Sequence, residues 1–358
     1  MTGDRLRVLV LGDSRSFHIE RYVAELRRQG CHVLLASLEP GSVHHYSLKR
    51  RGFFGSLHYI LAATEVRALA DRFKPDVINA HYASGYGFTV ALAETGRDVP
   101  MLLHLWGSDI LIVPQKSALH RRKTAYALSQ ADYVIADSQY LLDSARQIAM
   151  HARSAVIPWG LERRFLALHR KDYTLSRPLK IIVPRPHEKI YNNLFLVRSL
   201  APLVNDGKVE LTFPSFGSLA GHFRMNAATI VDDRLKSYDK KPRDQFLRFA
   251  AEHDVYLSGA LSDSSPASLI EAMGLGLIPV AADIPGVREW LGPGSGYLYD
   301  VYGAGKLQEI ITSLVDDDYE HREMREINLG RVKQHAIYED NVGSTIEIMR
   351  QLADGRGR

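Results

Sequence analysis

The sequence predicts an α/β protein built from two doubly wound, Rossmann-like parallel sheets, and three observations carry that prediction. Short apolar runs of strand length alternate with amphipathic stretches of helix length. The alternation breaks once, at Pro158-Trp159-Gly160, and restarts at Lys180-Ile181-Ile182-Val183. The length of 358 residues exceeds one ordinary core and suits two. The expected domains are residues 1–165 and 166–330, followed by a closing helical segment, 331–358.

Each element follows in order. Arg7 to Gly12 is an apolar run of buried-strand type. Phe17 to Gln29 has helical spacing, with Tyr22, Val23 and Leu26 on its inner face and Gly30 at its end. His32 to Ser37 is the second strand. A helix from about Leu57 to Phe73 leads through Lys74-Pro75-Asp76 into the strand Val77 to His81. Met101 to Leu105, Tyr133 to Asp137 and Ala155 to Ile157 supply further strands. After the hinge, Val209 to Phe213, Val255 to Leu257 and Ile278 to Ala281 repeat the pattern. His321 to Leu352 is helical, with Met324, Ile327, Ile346 and Ile348 among its apolar positions. Two such halves imply a cleft, with a ligand at the carboxyl ends of the strands.

Composition narrows the classes. Hydrophobic residues at 46% and charged residues at 24% describe a folded, globular chain. No run approaches the roughly 20 apolar residues of a membrane span. The apolar run in MTGDRLRVLVLGDSRS is too short for a secretory signal, and a single Cys31 excludes a disulfide framework. A cytoplasmic address is expected. The net charge of +4 favours anionic partners such as nucleotide diphosphates or lipid phosphates. No zinc-finger spacing or RNA-binding aromatic signature points to nucleic acid. The acid runs Asp232-Asp233 and Asp316-Asp317-Asp318 lack calcium-loop spacing and read as turns, so no metal site is expected.

The densest chemistry lies between Ser258 and Glu289. Ser265 stands at a helix cap position and Pro266 at the first helical position. Ala267 to Met273 is compact and apolar except for Glu271, and Gly274 and Gly276 end the helix. A buried carboxylate requires donors. The N–H groups of Ser264 and Ser265, at the positive end of the helix, form a natural phosphate seat. Glu271, about a turn and a half further in, is placed to accept hydrogen bonds from two adjacent sugar hydroxyls. Together these suggest a nucleotide diphosphate. The competing reading is a surface helix whose Glu271 faces water.

Three first-half loops follow strand ends. Gly12-Asp13-Ser14-Arg15-Ser16-Phe17-His18 lacks the GxGxxG dinucleotide fingerprint, which weakens a dehydrogenase reading. Asp13, Arg15 and His18 are candidates for acceptor or phosphate contacts; alternatively Ser16 simply caps the next helix. His81-Tyr82-Ala83-Ser84-Gly85-Tyr86-Gly87 and His104-Leu105-Trp106-Gly107-Ser108-Asp109 contribute His81, Trp106, Ser108 and Asp109 as candidates. His104 has a core role as its alternative, and Asp109 a turn or cap role. Arg185, at the exit of the strand after the hinge, can offer a planar fork to a diphosphate, with a surface ion pair as its alternative.

The stretch Asp263-SSPASLI-Glu271-Ala272-Met273, followed by Gly276-Leu277-Ile278-Pro279-Val280, resembles the nucleotide-sugar site of retaining glycosyltransferases of family 4. That family places two acids with seven residues between them before Ala-Met and a Gly-x-Pro-Val strand. Further likenesses are Trp106-Gly107-Ser108-Asp109 in the first half, Ile157-Pro158-Trp159-Gly160-Leu161 with Phe165 at the crossover, and Val183-Pro184-Arg185. The chain departs from the pattern at Asp263, shorter than the usual Glu, and at Ser264-Ser265-Pro266 in place of the Gly-Phe-Gly or Gly-Phe-Pro of many relatives. It departs again at Tyr191-Asn192 in place of Lys-Gly.

The resemblance implies the GT-B fold, with the last helix crossing back onto the first domain. It implies transfer of a sugar from a nucleotide diphosphate sugar to an acceptor hydroxyl, with retention, without a metal or other cofactor, in glycan, polysaccharide or glycolipid synthesis. Catalytic roles would fall to Asp263, Glu271, Arg185 and Asp109. Donor contacts would fall to Arg185, Lys189, Ser264, Ser265, Pro266, Ser268 and Glu271. Asp13, Arg15, His18, His81, Trp106 and Ser108 would face the acceptor. A nucleotide-sugar epimerase or hydrolase, or a catalytically silent nucleotide-sugar-binding subunit, is the alternative. The stretch Lys49-Arg50-Arg51-Gly52-Phe53-Phe54 pairs cations with aromatics and suits contact with an anionic membrane at its inner face, its alternative being a solvated charge run.

Overall fold

The computed structural model describes residues 5–41, 44–49, 57–93, 99–150, 153–232, 234–316 and 321–355. The chain forms two parallel sheets, each flanked by helices. The first contains β1 (Arg7–Leu11), β2 (His32–Ser37), β3 (Tyr46–Ser47), β4 (Val77–His81), β5 (Met101–His104), β6 (Tyr133–Ala136) and β7 (Arg153–Val156), in the order β3-β2-β1-β4-β5-β6-β7. The second contains β8 (Leu179–Ile182), β9 (Val209–Pro214), β10 (Lys236–Tyr238), β11 (Val255–Ser258), β12 (Ile278–Ala282) and β13 (Tyr297–Tyr299), in the order β10-β9-β8-β11-β12-β13. The central strands are buried on both faces; every residue of β4, β11 and β12 is enclosed. That is why they read as continuous apolar runs rather than alternating ones.

Two compact units result: Met1–Pro158 together with Glu339–Arg358, and Trp159–Tyr338. In each sheet the order reverses at one place, between β1 and β4 in the first and between β8 and β11 in the second. Helices on opposite faces diverge there and leave a crevice beyond the strand ends. Asp13 lies in the loop leaving β1 and Tyr82 at the start of the helical segment Tyr82–Gly87 that follows β4, while the loops leaving β8 and β11 carry Arg185 and Asp263.

Several elements differ from their sequence expectations. The helix expected over Leu57 to Phe73 is two, Leu57–Leu61 and Ala63–Phe73, divided at Ala62. Ala62 is buried while Leu57, Ile60 and Leu61 are at least 40% exposed, so only the second piece packs inward. The closing helix is likewise two, Arg322–His335 and Tyr338–Asp354. Between them Leu161 donates its N–H to the Ala336 carbonyl at 2.8 Å and accepts that of Tyr338 at 3.0 Å, a strand-like pairing that breaks the helical ladder. The last strand of the first sheet lies at Arg153–Val156, where Tyr133 pairs with Arg153, rather than at Ala155 to Ile157.

The Ser258 to Glu289 stretch also starts its helix one residue later than expected. The helix is Ala267–Leu275, and Pro266 rather than Ser265 is its cap residue. The Ser265 hydroxyl instead accepts the buried indole N–H of Trp290 at 2.9 Å. Gly276 ends the helix at φ +83, a conformation glycine adopts without strain. Of the basic-aromatic stretch Lys49–Phe54, only Lys49 falls among the described residues; it is exposed, with its N–H bonded to Glu65 at 3.0 Å. Among the described residues, no helix is long and apolar enough to cross a membrane, and no three His, Cys, Asp or Glu cluster as metal ligands would.

Candidate functional site

In the second unit, the reversal of strand order brings two of the expected residues together. Arg185 leaves β8, Asp263 leaves the neighbouring β11, and the guanidinium and carboxylate form a short ion pair, each side chain less than a fifth exposed. The guanidinium also lies over the ring of Tyr191, 5.0 Å from its centre. Burial opposes the charge of Arg185, but Asp263 with Tyr256 and Tyr191 outweighs it and raises the pKa, so the arginine stays cationic.

The backbone at the start of the adjoining helix is tightly fitted. The N–H of Ser264 bonds the Asp263 carboxylate at 3.0 Å. A Cβ on Gly286 would lie 2.0 Å from the Ser264 carbonyl oxygen, so only glycine permits this approach. One turn along, Ser268 shares a 3.1 Å hydrogen bond with the hydroxyl of Tyr256, which also favours the charge of Arg185.

Glu271 is buried in this helix, 7% exposed, and the donor its burial demanded is Arg243. Arg243 Nη1 donates to Glu271 Oε1 at 2.6 Å. Its Nε and Nη2 point the other way, to both oxygens of Glu162 at 2.6–2.9 Å. Burial works against the Arg243 charge, and the two carboxylates more than compensate. Sequence reading missed Arg243 and Glu162. The available signal was Glu271 itself, an acid in an apolar helix that had to have a partner. Lys189 lies apart from this group: it is exposed and lines a cavity of about 160 Å³ with Asn192, Leu219, His222 and Phe223. Asn192 occupies a left-handed conformation, φ +52, which asparagine tolerates better than most residues.

In the first unit, a cavity of about 410 Å³ is lined by Asp13, Ser16, Ile19, Tyr59, His81, Tyr82, Tyr86 and Trp106. It therefore joins three expected residues, Asp13, His81 and Trp106, to three tyrosines that sequence reasoning did not single out. Arg15 grips Asp13 with two N–H groups, at 2.8 and 3.0 Å, and holds its carboxyl below the ordinary range. Ser16 stands at the helix cap position, but its side chain makes no capping bond. His18 packs edge-on against Trp106 at 5.8 Å. Ser108 shares a 3.0 Å hydrogen bond with the hydroxyl of Tyr82. Tyr82 itself holds φ +75, a costly conformation for an aromatic residue and one met at functional loops.

A buried polar chain supports the cavity wall. The Tyr22 hydroxyl donates to Asn79 Oδ1 at 2.8 Å, and His81 Nε2–H donates to the same oxygen at 3.2 Å. His81 Nδ1 is then the acceptor for the Trp106 indole N–H at 3.3 Å, which fixes the tautomer and orients the indole. Asn79 donates to His104 Nδ1 at 2.9 Å, and the two imidazoles stack 4.6 Å apart. Burial keeps both neutral: it lowers the His81 pKa far below its usual value, with His104 adding to the effect, and brings His104 to about 3. His104 is thus an interior residue.

Asp109 has no exposed surface. Its carboxylate accepts the N–H of Ala83 at 2.7 Å and of Trp106 at 2.9 Å, tying the loop after β4 to the loop after β5. Burial pushes its pKa up to about 6, with the backbone donors opposing.

Comparison with known proteins agrees with this architecture. Residues 7–138 match the family model of glycosyl transferase 4-like domains, and residues 225–329 that of glycosyl transferases group 1. The second range contains Arg243, Asp263 and Glu271. The chain is 26% identical over 284 residues to TuaC of Bacillus subtilis (strain 168), a protein named as a glycosyltransferase of teichuronic acid biosynthesis; the match covers 75% of this chain and 67% of TuaC. Among solved structures, Anabaena HepE in complex with UDP and glucose superposes with a TM-score of 0.80 at 16% identity, covering 97% of this chain and 100% of that one. A sucrose-phosphate synthase of Thermosynechococcus elongatus gives 0.81 at 14% identity, covering 98% and 100%. At such identities the likeness is one of fold, and the fold is GT-B.

Proposed function

We propose that this chain, a glycosyltransferase of the GT-B type, moves a sugar from a nucleotide diphosphate donor to an acceptor hydroxyl with retention of configuration. The observation that carries the proposal is the meeting of Arg185 and Asp263 at the mouth of the Ala267–Leu275 helix, with Glu271 inside it. In this reading the diphosphate lies over the helix start and against Arg185, and Glu271 accepts the ribose hydroxyls. Asp263 turns from Arg185 to the hydroxyls of the donor sugar. The bond between the sugar's anomeric carbon and the diphosphate breaks as the bond to the acceptor oxygen forms on the same face. The acceptor proton passes to the departing phosphate oxygen. Arg185 and the helix N–H groups carry the charge that builds on the leaving group, where fixed donors are most effective.

The cavity of tyrosines, His81 and Trp106 is assigned to the acceptor. Flat aromatic faces with hydroxyl tips suit a neutral saccharide or glycolipid ring, and His81, being uncharged, adds no field there. Participation in polysaccharide or glycolipid synthesis is the corresponding role, supported by the named activity of TuaC.

The test is a thermal-shift screen across UDP-, GDP- and ADP-sugars, since a ligand preferring the native state raises its melting point. The stabilising donor is then incubated with and without acceptor extract. Transfer only with acceptor supports the proposal. Free sugar or an epimer from donor alone favours a hydrolase or epimerase, and donor binding without turnover a silent subunit. One observation favours the silent reading as runner-up: the phosphate-side arginine is already neutralised by Asp263, and Tyr191 supplies no second positive charge.

A further inference from the structure

The arrangement around Glu271 raises a question of charge. A buried carboxylate facing an arginine usually takes both arms of the guanidinium fork, which satisfies both of its oxygens. Here it does not. Arg243 gives Glu271 only Nη1, at 2.6 Å to Oε1, and commits Nε and Nη2 to Glu162. Among the described residues, nothing donates a hydrogen bond to Glu271 Oε2. All three side chains are largely enclosed, at 12% exposure for Arg243, 14% for Glu162 and 9% for Glu271, so water weakens the pairings little. The guanidinium is seated 5.8 Å from the centre of the buried Phe165 ring.

We propose that Glu162 and Arg243 form a positioning pair for Glu271. Glu162 draws the guanidinium fork away, so that Arg243 fixes Glu271 by one oxygen and leaves the other as acceptor for the ribose diol of a nucleoside diphosphate. This rests on the assignment of Glu271 to the ribose. It adds a selectivity device in which Glu162, without touching the nucleotide, decides whether the 2′-hydroxyl is recognised.

The arrangement has a counterintuitive consequence. Glu162→Gln removes the competing negative charge, and Arg243 then swings to grip Glu271 with both arms, occupying Oε2. Ribose recognition is lost although Glu271 and Arg243 are both intact. Arg243→Gln loses it because Glu271 is no longer held. Arg243→Lys keeps the charge but has no fork with which to serve two carboxylates, so it gives an intermediate result.

The experiment is calorimetric titration of the full chain with UDP, GDP and ADP, each beside its 2′-deoxy counterpart, following the base that binds. A hydrogen bond to a carboxylate is worth about tenfold to hundredfold in affinity, so the wild type should prefer the ribonucleotide by that ratio. The ratio should collapse toward one in Glu162→Gln and in Arg243→Gln. A mere loss of packing would weaken both nucleotides equally and leave the ratio standing. Glu162→Gln, which retains an acceptor oxygen, decides the matter if Arg243→Gln does not fold. A ratio that survives in Glu162→Gln but falls in Glu271→Ala overturns this inference and leaves the ribose assignment intact. A wild type indifferent to the 2′-hydroxyl, or unaffected by Glu271→Ala, overturns both.

Discussion

Asp109 shows how one buried group can be read in two ways until its surroundings are known. Its position after Trp106-Gly107-Ser108 marks it as a polar candidate for chemistry, and its complete burial makes it a tie between two loops. The tie has a pH signature. Its pKa is about 6 in the folded chain against an ordinary 3.8, so the native state holds this proton more tightly than the unfolded state. The stabilising contribution is therefore fully present below pH 3.8 and is lost as pH rises through 6. The gap corresponds to about 3 kcal/mol. Asp109→Asn cannot ionise. The unfolding free energy of the wild type minus that of Asp109→Asn, followed by urea titration, should therefore fall by about 2.4 kcal/mol between pH 4 and pH 7. A flat difference would show that the backbone donors fully offset the burial. His81 and His104, held neutral by burial but protonated more readily when unfolded, add their own pH dependence across this range, and it cancels in the difference between wild type and Asp109→Asn.

The helix Ala267–Leu275 depends on its neighbours more than on itself. Leu269, Ile270 and Met273 are fully buried, worth about 1.5–3 kcal/mol each. Its far end is held from three directions. His169 bonds the Gly274 carbonyl at 2.9 Å, the Arg170 N–H bonds that of Leu275 at 3.0 Å, and the fully buried Arg325 bonds that of Gly276 at 2.8 Å. Its near end is held by Trp290 on Ser265 and by the close approach of Gly286 to Ser264. Gly286→Ala would drive a methyl to 2.0 Å from a backbone oxygen that has nowhere to retreat. Overpacking of this kind costs about 1–3 kcal/mol, and the displaced Ser264 backbone should weaken nucleoside diphosphate binding as well. Urea unfolding and calorimetry check the two together. An unchanged midpoint with unchanged affinity would show that the loop relaxes freely and does not set the phosphate seat. Much of this helix was legible in the sequence: its apolar run, its terminal glycines and its one anomalous acid. Its start was misread by one residue because Ser265 looks like a cap by type. The indole that claims its hydroxyl lies 25 residues away, beyond the reach of local pattern. Arg243 was hidden for the same reason, since nothing near position 243 says which carboxylate it will meet.

At the level of the whole chain, the parallel α/β architecture was readable because fully buried strands give unbroken apolar runs. The strands that escaped, Tyr46–Ser47, Lys236–Tyr238 and Tyr297–Tyr299, are two or three residues long and lie at or near sheet edges, too short to show a period. The tyrosine cavity escaped because its helix, strand-end and loop residues come from stretches that only the strand order brings together. The strongest long-range feature is the grouping of Glu339–Arg358 with the first unit, some 180 residues after that unit's main segment ends at Pro158. Val342, Ile346, Met349 and Leu352 are buried there, Gln29 donates to the Glu339 carbonyl at 2.8 Å, and Asn341 donates to that of Pro158 at 2.8 Å. Burial of four such side chains amounts to about 6–12 kcal/mol before entropy is deducted, comparable with the net stability of a whole domain. A chain ended after Tyr338 should therefore lose the first unit's melting transition and keep that of Trp159–Tyr338, whose core and sheet are self-contained. Calorimetry with limited proteolysis distinguishes the outcomes: rapid cleavage confined to residues 1–158 is expected. Resistance of that segment would mean that the first sheet is stable without its returning helix, and that the helix serves another purpose.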